Sequence, residues 1–398
     1  MESRQFGGLS QAVRKFKAAL LESLNTNSHF HQALNGDEPL TFYGLTTGEQ
    51  EPNQYFIEIS ELLFWLDSEG YLDELERWEG AQIKEKHRQT LAYLRESEQT
   101  TVFSGLIEAV KRKRIAPFVG AGLSKPCGFP LWGQAIRQLV EKLEGVSLSE
   151  KKAANSPFVY LNEVVRLLDE NRYLEAVQIL YRENRIQVEN FIRNKFDLIH
   201  DSTIKGPVNL LPEICDGCII TTNFDALIEN VFLNQNRPIN GYMHGTQTQN
   251  QFVPKLIQGE RCILKLHGDV TDPATYIFSQ EQYDSAYGIP LDFTRPLAKT
   301  LRQIFISHSL LFLGCSLEQD RTMDLFEAIV AENSFDIPDH YALLSKPSDH
   351  QAFLEKENLL TETKIRPIWY IVDENGSHYM LEALLSLVVD CAKGRTRI

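Results

Sequence analysis

The stretch Ile115-Ala116-Pro117-Phe118-Val119-Gly120-Ala121-Gly122-Leu123-Ser124 reads as a short apolar strand that runs into a glycine turn. Pro117 is tolerable near the start of such a strand, because its missing N–H removes only one ladder donor. Gly120 and Gly122 let the chain turn tightly and approach a ligand with no Cβ in the way. A helix is expected soon after, over Trp132–Glu144, so free N–H groups would face phosphate oxygens and Ser124 would add a hydroxyl. Lys125 stands where the third glycine of the usual dinucleotide fingerprint would fall. From this segment alone, a ligand-free turn is as good a reading as a phosphate cradle.

Two further segments have the same layout. Thr221-Thr222-Asn223-Phe224-Asp225 follows an expected strand over 217–221 and precedes an expected helix over 226–232. Lys265-Leu266-His267-Gly268-Asp269 closes an expected strand over 262–266. Open α/β sheets bind ligands at the carboxyl ends of their strands, where all three segments would lie. Asp225 suits helix capping and ligand binding equally. Asn223 is the stronger ligand candidate, since Thr222 and Asp225 can serve the cap without it. A neutral imidazole at His267 can act as a general base near pH 7. A lone histidine at a strand end is more often structural, but sharing a cleft with a phosphate turn and an asparagine favours catalysis.

Outward from these segments, further apolar strands are expected over 309–313, 340–344 and 367–372, with helices over 102–113, 158–199 and 379–391. Short apolar strands alternating with helices imply an α/β fold: a Rossmann-like, largely parallel sheet covered on both faces, with helical insertions. The first hundred residues differ. Apolar residues at helical spacing mark 12–24 and 55–66, a charged helix is expected over 72–95, and 35–53 reads as an irregular connection. The expected organisation is a helical accessory or assembly module over 1–100 and a ligand-binding domain over 101–398. Phe56, Leu62, Phe64 and Trp65 suit an assembly surface or a helical core equally.

The chain of 398 residues carries 40 Lys and Arg against 54 Asp and Glu, a formal charge of -14. That balance opposes sequence-independent nucleic-acid binding, which needs a basic surface. The basic run Lys111-Arg112-Lys113-Arg114 reads as a complement to a helix C-terminus, and Asp320 as a cap for the helix beginning near Arg321. No apolar stretch approaches the roughly 20 residues that cross a bilayer. The opening Met1–Gly7 has no apolar run behind a basic end, so no leader and a cytoplasmic location are expected. Six sparse cysteines, mostly in apolar runs, read as reduced buried thiols.

In this order, the segments resemble the sirtuin family, and more closely the bacterial sirtuin-like NADases of anti-phage defence. The resemblance covers residues 102–373. It implies that Gly120, Ala121, Gly122 and Ser124 hold the pyrophosphate of NAD, and that Thr222, Asn223 and Asp225 lie beside the nicotinamide ribose. His267 would be the catalytic histidine, and Gly314 and Ser316, in Gly314-Cys315-Ser316, would contact the adenosine half. Tyr276-Ile277-Phe278 followed by Ser279–Tyr283 also matches the segment after the histidine in that branch.

The departures bear on the reaction. Family deacylases carry two Cys-x-x-Cys pairs for zinc after the asparagine; here only Cys215-x-x-Cys218 exists, and it precedes Asn223. No metal is therefore expected. Thr-Thr-Asn-Phe-Asp also departs from the Gln-Asn-Ile-Asp usual in deacylases. Both differences favour water over acyl-lysine as acceptor, hence hydrolysis of NAD as substrate to nicotinamide and ADP-ribose. A zinc-free deacylase and a non-enzymatic NAD or ADP-ribose sensor are the rivals. By analogy of architecture, the resemblance further implies a homo-oligomer working with a HerA-type ATPase, with no direct nucleic-acid or membrane contact.

Overall fold

The computed structural model describes residues 26–44, 52–145, 159–197, 204–247, 252–318, 321–332, 334 and 336–398. The chain divides into two compact units, Met1–Arg88 and Gln89–Ile398.

In the first unit, the expected helix over 12–24 lies outside the described residues. Two strands, β1 (Leu40–Tyr43) and β2 (Gln54–Ile57), pair antiparallel, with Leu40 opposite Ile57 and Phe42 opposite Tyr55. This corrects two expectations. The connection read as irregular contains β1, and the helix expected from Tyr55 begins only at Ile59 and ends at Leu66. The run Tyr-Phe-Ile is rich in strand-forming side chains, and a cross-strand partner outweighs its helical spacing. The expected charged helix is two helices separated at His87: Ser68–Lys86 in this unit, and Arg88–Glu96, which from Gln89 on belongs to the second unit and buries Leu91 and Leu94 in its core. Asp67 caps the first by accepting from the Gly70 amide. A small core joins Phe30 and Tyr71 to Leu34, Phe64, Leu75 and Trp78. Of the four residues considered for an assembly surface, Phe64 packs into this core, whereas Phe56 and Trp65 are exposed.

The second unit is built on a wholly parallel sheet of seven strands: β3 (Ile115–Val119), β4 (Cys218–Thr221), β5 (Gly241–His244), β6 (Cys262–Lys265), β7 (Ser309–Leu313), β8 (His340–Ser345) and β9 (Ile365–Tyr370). Their order is β5-β6-β4-β3-β7-β8-β9. Alternate residues feed two cores. Ile115, Val119, Ile219, Ile263 and Leu311 face one side, packed with residues of the helices Thr100–Lys111, Trp132–Glu144 and Tyr379–Ala392. Ala116, Phe118, Ile220, Leu264 and Phe312 face the other, packed with the helices Pro296–Ser307 and Arg321–Glu332. Burial on both faces explains why these strands read as unbroken apolar runs.

β3 lies at the topological switch point. The chain runs from β3 to the β4, β5 and β6 side, then returns to place β7, β8 and β9 on the other. Val119 is in register with both Thr221 and Leu313, so the loops after β3, β4 and β7 emerge side by side. The expected helical block over 158–199 is a pair, Val159–Asp169 and Tyr173–Phe196, the second kinked at Asn184. β5 is the sheet's one strand that the sequence did not announce; its four residues alternate in burial, with Tyr242 exposed.

Candidate functional site

A cavity of about 760 Å³ opens at the carboxyl ends of β3, β4, β6 and β7, within the range of small-molecule sites. All of Gly120, Ala121, Gly122, Ser124, Thr222, Asn223, Asp225, His267, Gly314 and Ser316 line it. The structure thus brings together every residue expected at the site, while altering what several of them can do.

The glycine turn does not lead straight into a helix. Two short 3-10 turns, Ala121–Leu123 and Lys125–Cys127, precede the helix that starts at Trp132. The amides of Gly120 and Gly122 donate to the carbonyls of Leu313 and Gly314, and those of Leu123 and Ser124 donate within the turn. These four N–H groups are therefore committed to the protein, which corrects the expectation of free donors. Gly120 has extended backbone (φ -103°) and is not glycine for its dihedral. A Cβ there would lie 2.5 Å from the Gly314 carbonyl oxygen, and one on Gly122 would lie 2.9 Å from the Gly314 Cα. Gly314, at φ +66°, would in turn meet the Leu123 amide nitrogen. The two glycine loops interlock, backbone against backbone.

On the other side of β3, Asn223 is buried, and its Nδ2 donates to the Gly120 carbonyl at 3.2 Å and to Ser124 Oγ at 2.9 Å. A carbonyl only accepts, so the amide orientation is settled and Oδ1 is the atom left for a ligand. The nearby Ser124 hydroxyl favours the ionised form of Asp225. Asp225 accepts from the Leu227 amide at 3.1 Å, one residue ahead of the helix cap at Ala226. Burial pushes its carboxyl up to about 6, against the opposing pull of Lys265 and the Leu227 amide.

His267 opens partly onto the cavity. Its Nε2 meets Tyr283 Oη at 2.5 Å, and its ring packs near Trp132, Phe224 and Tyr283. Burial among these rings pulls the imidazole down to about 4. The Thr222 carbonyl works in the opposite sense, from outside hydrogen-bond geometry. His267 is accordingly neutral at physiological pH. Gly268, at φ +97°, lies so close to the Thr275 carbonyl that only glycine fits.

The side chain that holds this half of the site together is Lys265, fully buried at the end of β6. Its Nζ donates to the carbonyls of Phe224 (3.2 Å) and Asp225 (2.8 Å) and pairs with Asp269 and Glu229, each at 2.8 Å. Burial alone would lower its pKa, but the two carboxylates overrule it and raise it. Asp269 would likewise be raised by burial, yet Lys265 and Thr271 hold it down at about 2. One ammonium therefore ties the Asn223–Asp225 loop to the His267–Asp269 loop.

Residues 217–368 match the family model for the SIR2-like domain. The chain is also 25% identical over 252 residues, 63% of its length, to the NAD(+) hydrolase ThsA of Acinetobacter baumannii (strain 532279). That match spans 46% of ThsA, so less than half of that relative is represented here. No helix among the described residues is long and apolar enough to cross a membrane.

Several site residues escaped sequence reasoning. Arg172 is the one arginine or lysine among the described residues lining the cavity, and it is engaged by Glu170 and Glu175. It lies at the turn between two helices, where no local motif marks it. Tyr283 belongs to a segment the sequence singled out, but its contact with His267 spans 16 residues and depends on the fold. Lys265 was read only as part of a strand. Cys215 and Cys218 are buried thiols, with Cys215 pushed up to about 12 by burial and Cys218 also raised. Protonated sulfurs packed into β4 and its approach are poor zinc ligands. The Asp320 cap falls outside the described residues.

Proposed function

We propose that this chain is an NAD+ hydrolase that cleaves the nicotinamide–ribose bond to release nicotinamide and ADP-ribose. The observation that carries this reading is the meeting of Asn223, Asp225 and neutral His267 in one cavity with two interlocked glycine loops, at a sheet's switch point. The likeness to ThsA supports NAD as the substrate.

Nicotinamide in NAD leaves as a neutral molecule from a cationic ring, so it needs no proton. The barrier is the oxocarbenium-like ribose, as in glycoside hydrolysis. Asp225, whose carboxyl is raised only to about 6, is mostly ionised at pH 7 and would stabilise the developing cation. Asn223 Oδ1 would accept from a ribose hydroxyl or from the attacking water, and His267 would take up the proton that leaves. Trp132 and Phe224 line this end of the cavity, and Phe278 packs edge-on against Trp132. With most turn amides committed, Arg172 and the Ala121 backbone would meet the pyrophosphate, and Ser316 the adenosine side. Within this reading, the protein acts in the cytoplasm as a homo-oligomer with a HerA-type ATPase, depleting NAD in anti-phage defence. The 1–100 segment would serve assembly.

Nicotinamide release from NAD by the full chain, alone and with such an ATPase, is the deciding measurement. Asn223→Ala and His267→Ala should each keep the fold and lose at least about 100-fold in rate. Release that depends on an added acyl-lysine peptide would make the protein a deacylase. NAD binding with no release in any condition would make it a sensor.

A further inference from the structure

Tyr283 Oη contacts His267 Nε2, whereas the buried Nδ1 has no hydrogen-bond partner among the described residues. Neutral imidazole has two tautomers, and the hydrogen bond made by one nitrogen selects which nitrogen carries the proton. In the familiar arrangement a carboxylate does this from the far nitrogen; no carboxylate contributes to the environment of His267. The tyrosine is well placed for the task. It is buried, its ring meets the imidazole edge-on at 5.5 Å between centroids, and it stacks on Tyr287 at 6.0 Å.

The platform beneath it is rigid. Tyr283 sits in the first turn of the helix Gln280–Tyr287, which opens with a capping box between Ser279 and Gln282. Gln282 Oε1 also accepts from the Phe278 amide, and the Glu281 amide donates to Gln178 Oε1 on the long helix Tyr173–Phe196. Each of these contacts fixes the direction from which the phenol reaches the imidazole. A supporting group needs such fixity to hold a reacting one within a fraction of an ångström.

We propose that Tyr283 is the positioning residue of His267: its hydroxyl fixes the tautomer and direction of the imidazole, taking the place a carboxylate occupies in other histidine sites. Tyr283 donates its proton to Nε2, leaving the proton of the neutral ring on the buried Nδ1. The proton that His267 takes up therefore enters through this hydroxyl, which passes its own to Nε2 and regains one from the reacting water or ribose hydroxyl. The catalytic part of this inference rests on the proposed NAD hydrolysis; the tautomer part does not.

The test uses the full chain with 13C-labelled histidine, with His267→Ala identifying the resonance. Wild-type His267 should show a single tautomer, and Tyr283→Phe should shift its ring carbons toward a mixture. With NAD, Tyr283→Phe should lower kcat about 10- to 100-fold with KM within about twofold. In a His267→Ala background the same change should cost less than about twofold, because a residue acting through His267 has nothing left to act on. An unchanged His267 resonance, or an equal loss in both backgrounds, would overturn the proposal. If wild type never releases nicotinamide, the hydrolase reading fails, and the resonance alone still decides whether Tyr283 sets the imidazole.

Discussion

The two sides of the cavity are held by different physics. On the β3 and β7 side, the loops are fixed by shape: Gly120, Gly122 and Gly314 let backbones touch where any Cβ would intrude. On the β4 and β6 side, they are fixed by charge, through Lys265 bridging two carbonyls and two carboxylates in the interior. The chemically equipped residues, Asn223, Asp225 and His267, all belong to the charged side. A shape-fixed half offers a surface that cannot relax, and a charge-fixed half sets the ionisation of its neighbours. The division suggests that binding and bond cleavage can be damaged separately.

The harshest way to break the contrast is Lys265→Met. It strands Asp269 and Glu229 without their cation, and losing one partner of a buried pair costs about 3–5 kcal/mol. Chemical denaturation should show that loss, with any activity falling as the two loops separate. Retained stability would mean that the ammonium is not the clamp.

Asp225→Asn sharpens the comparison through pH. The folded carboxyl titrates near 6, above its ordinary 3.8. As pH rises through that window, the unfolded chain releases the proton first, so the native state loses stability, by about 3 kcal/mol once both are ionised. Asparagine removes this cost and can still accept from Leu227. The variant should therefore gain in Tm relative to wild type at pH 7 but not at pH 4, while losing activity. His267 has the opposite sign. Its folded pKa is near 4, so falling pH favours the unfolded chain below about 6.5. His267→Ala should flatten the acid side of the stability profile, and equal slopes in the two variants would count against this assignment.

On the shape-fixed side, Gly120→Ala places a methyl against the Gly314 carbonyl and the Cys315 sulfur. Overpacking of this kind costs about 1–3 kcal/mol. NAD affinity, read by calorimetry, should drop with the loops parted, and unchanged affinity would refute the interlock as a binding element. The mildest change is Arg172→Ala, in an exposed ion pair. KM for NAD should rise by roughly 10-fold or less with kcat and Tm unchanged; an unaltered KM would remove Arg172 from the pyrophosphate's surroundings.

Much of this was readable in the chain. Doubly covered parallel strands appear as unbroken apolar runs, so β3, β4, β6, β7, β8 and β9 could be placed from composition and period. β5 was not, because its residues alternate in burial and a run of four carries little signal. β1 and β2 were missed because each is stabilised by the other, and the spacing of Tyr55–Leu66 favoured a helix until a partner strand was present.

The amino-acid sequence by itself determined which chemical groups gather at the strand ends, since a parallel sheet delivers every loop after a strand to the same edge. It could not assign their hydrogen bonds. That most turn amides are spent inside the protein, that Asn223 offers its oxygen, that Lys265 is a clamp and that Tyr283 faces His267 are facts of three dimensions. Each depends on partners brought from other elements. Only packing decides which donor meets which acceptor, and so which groups remain free for a ligand.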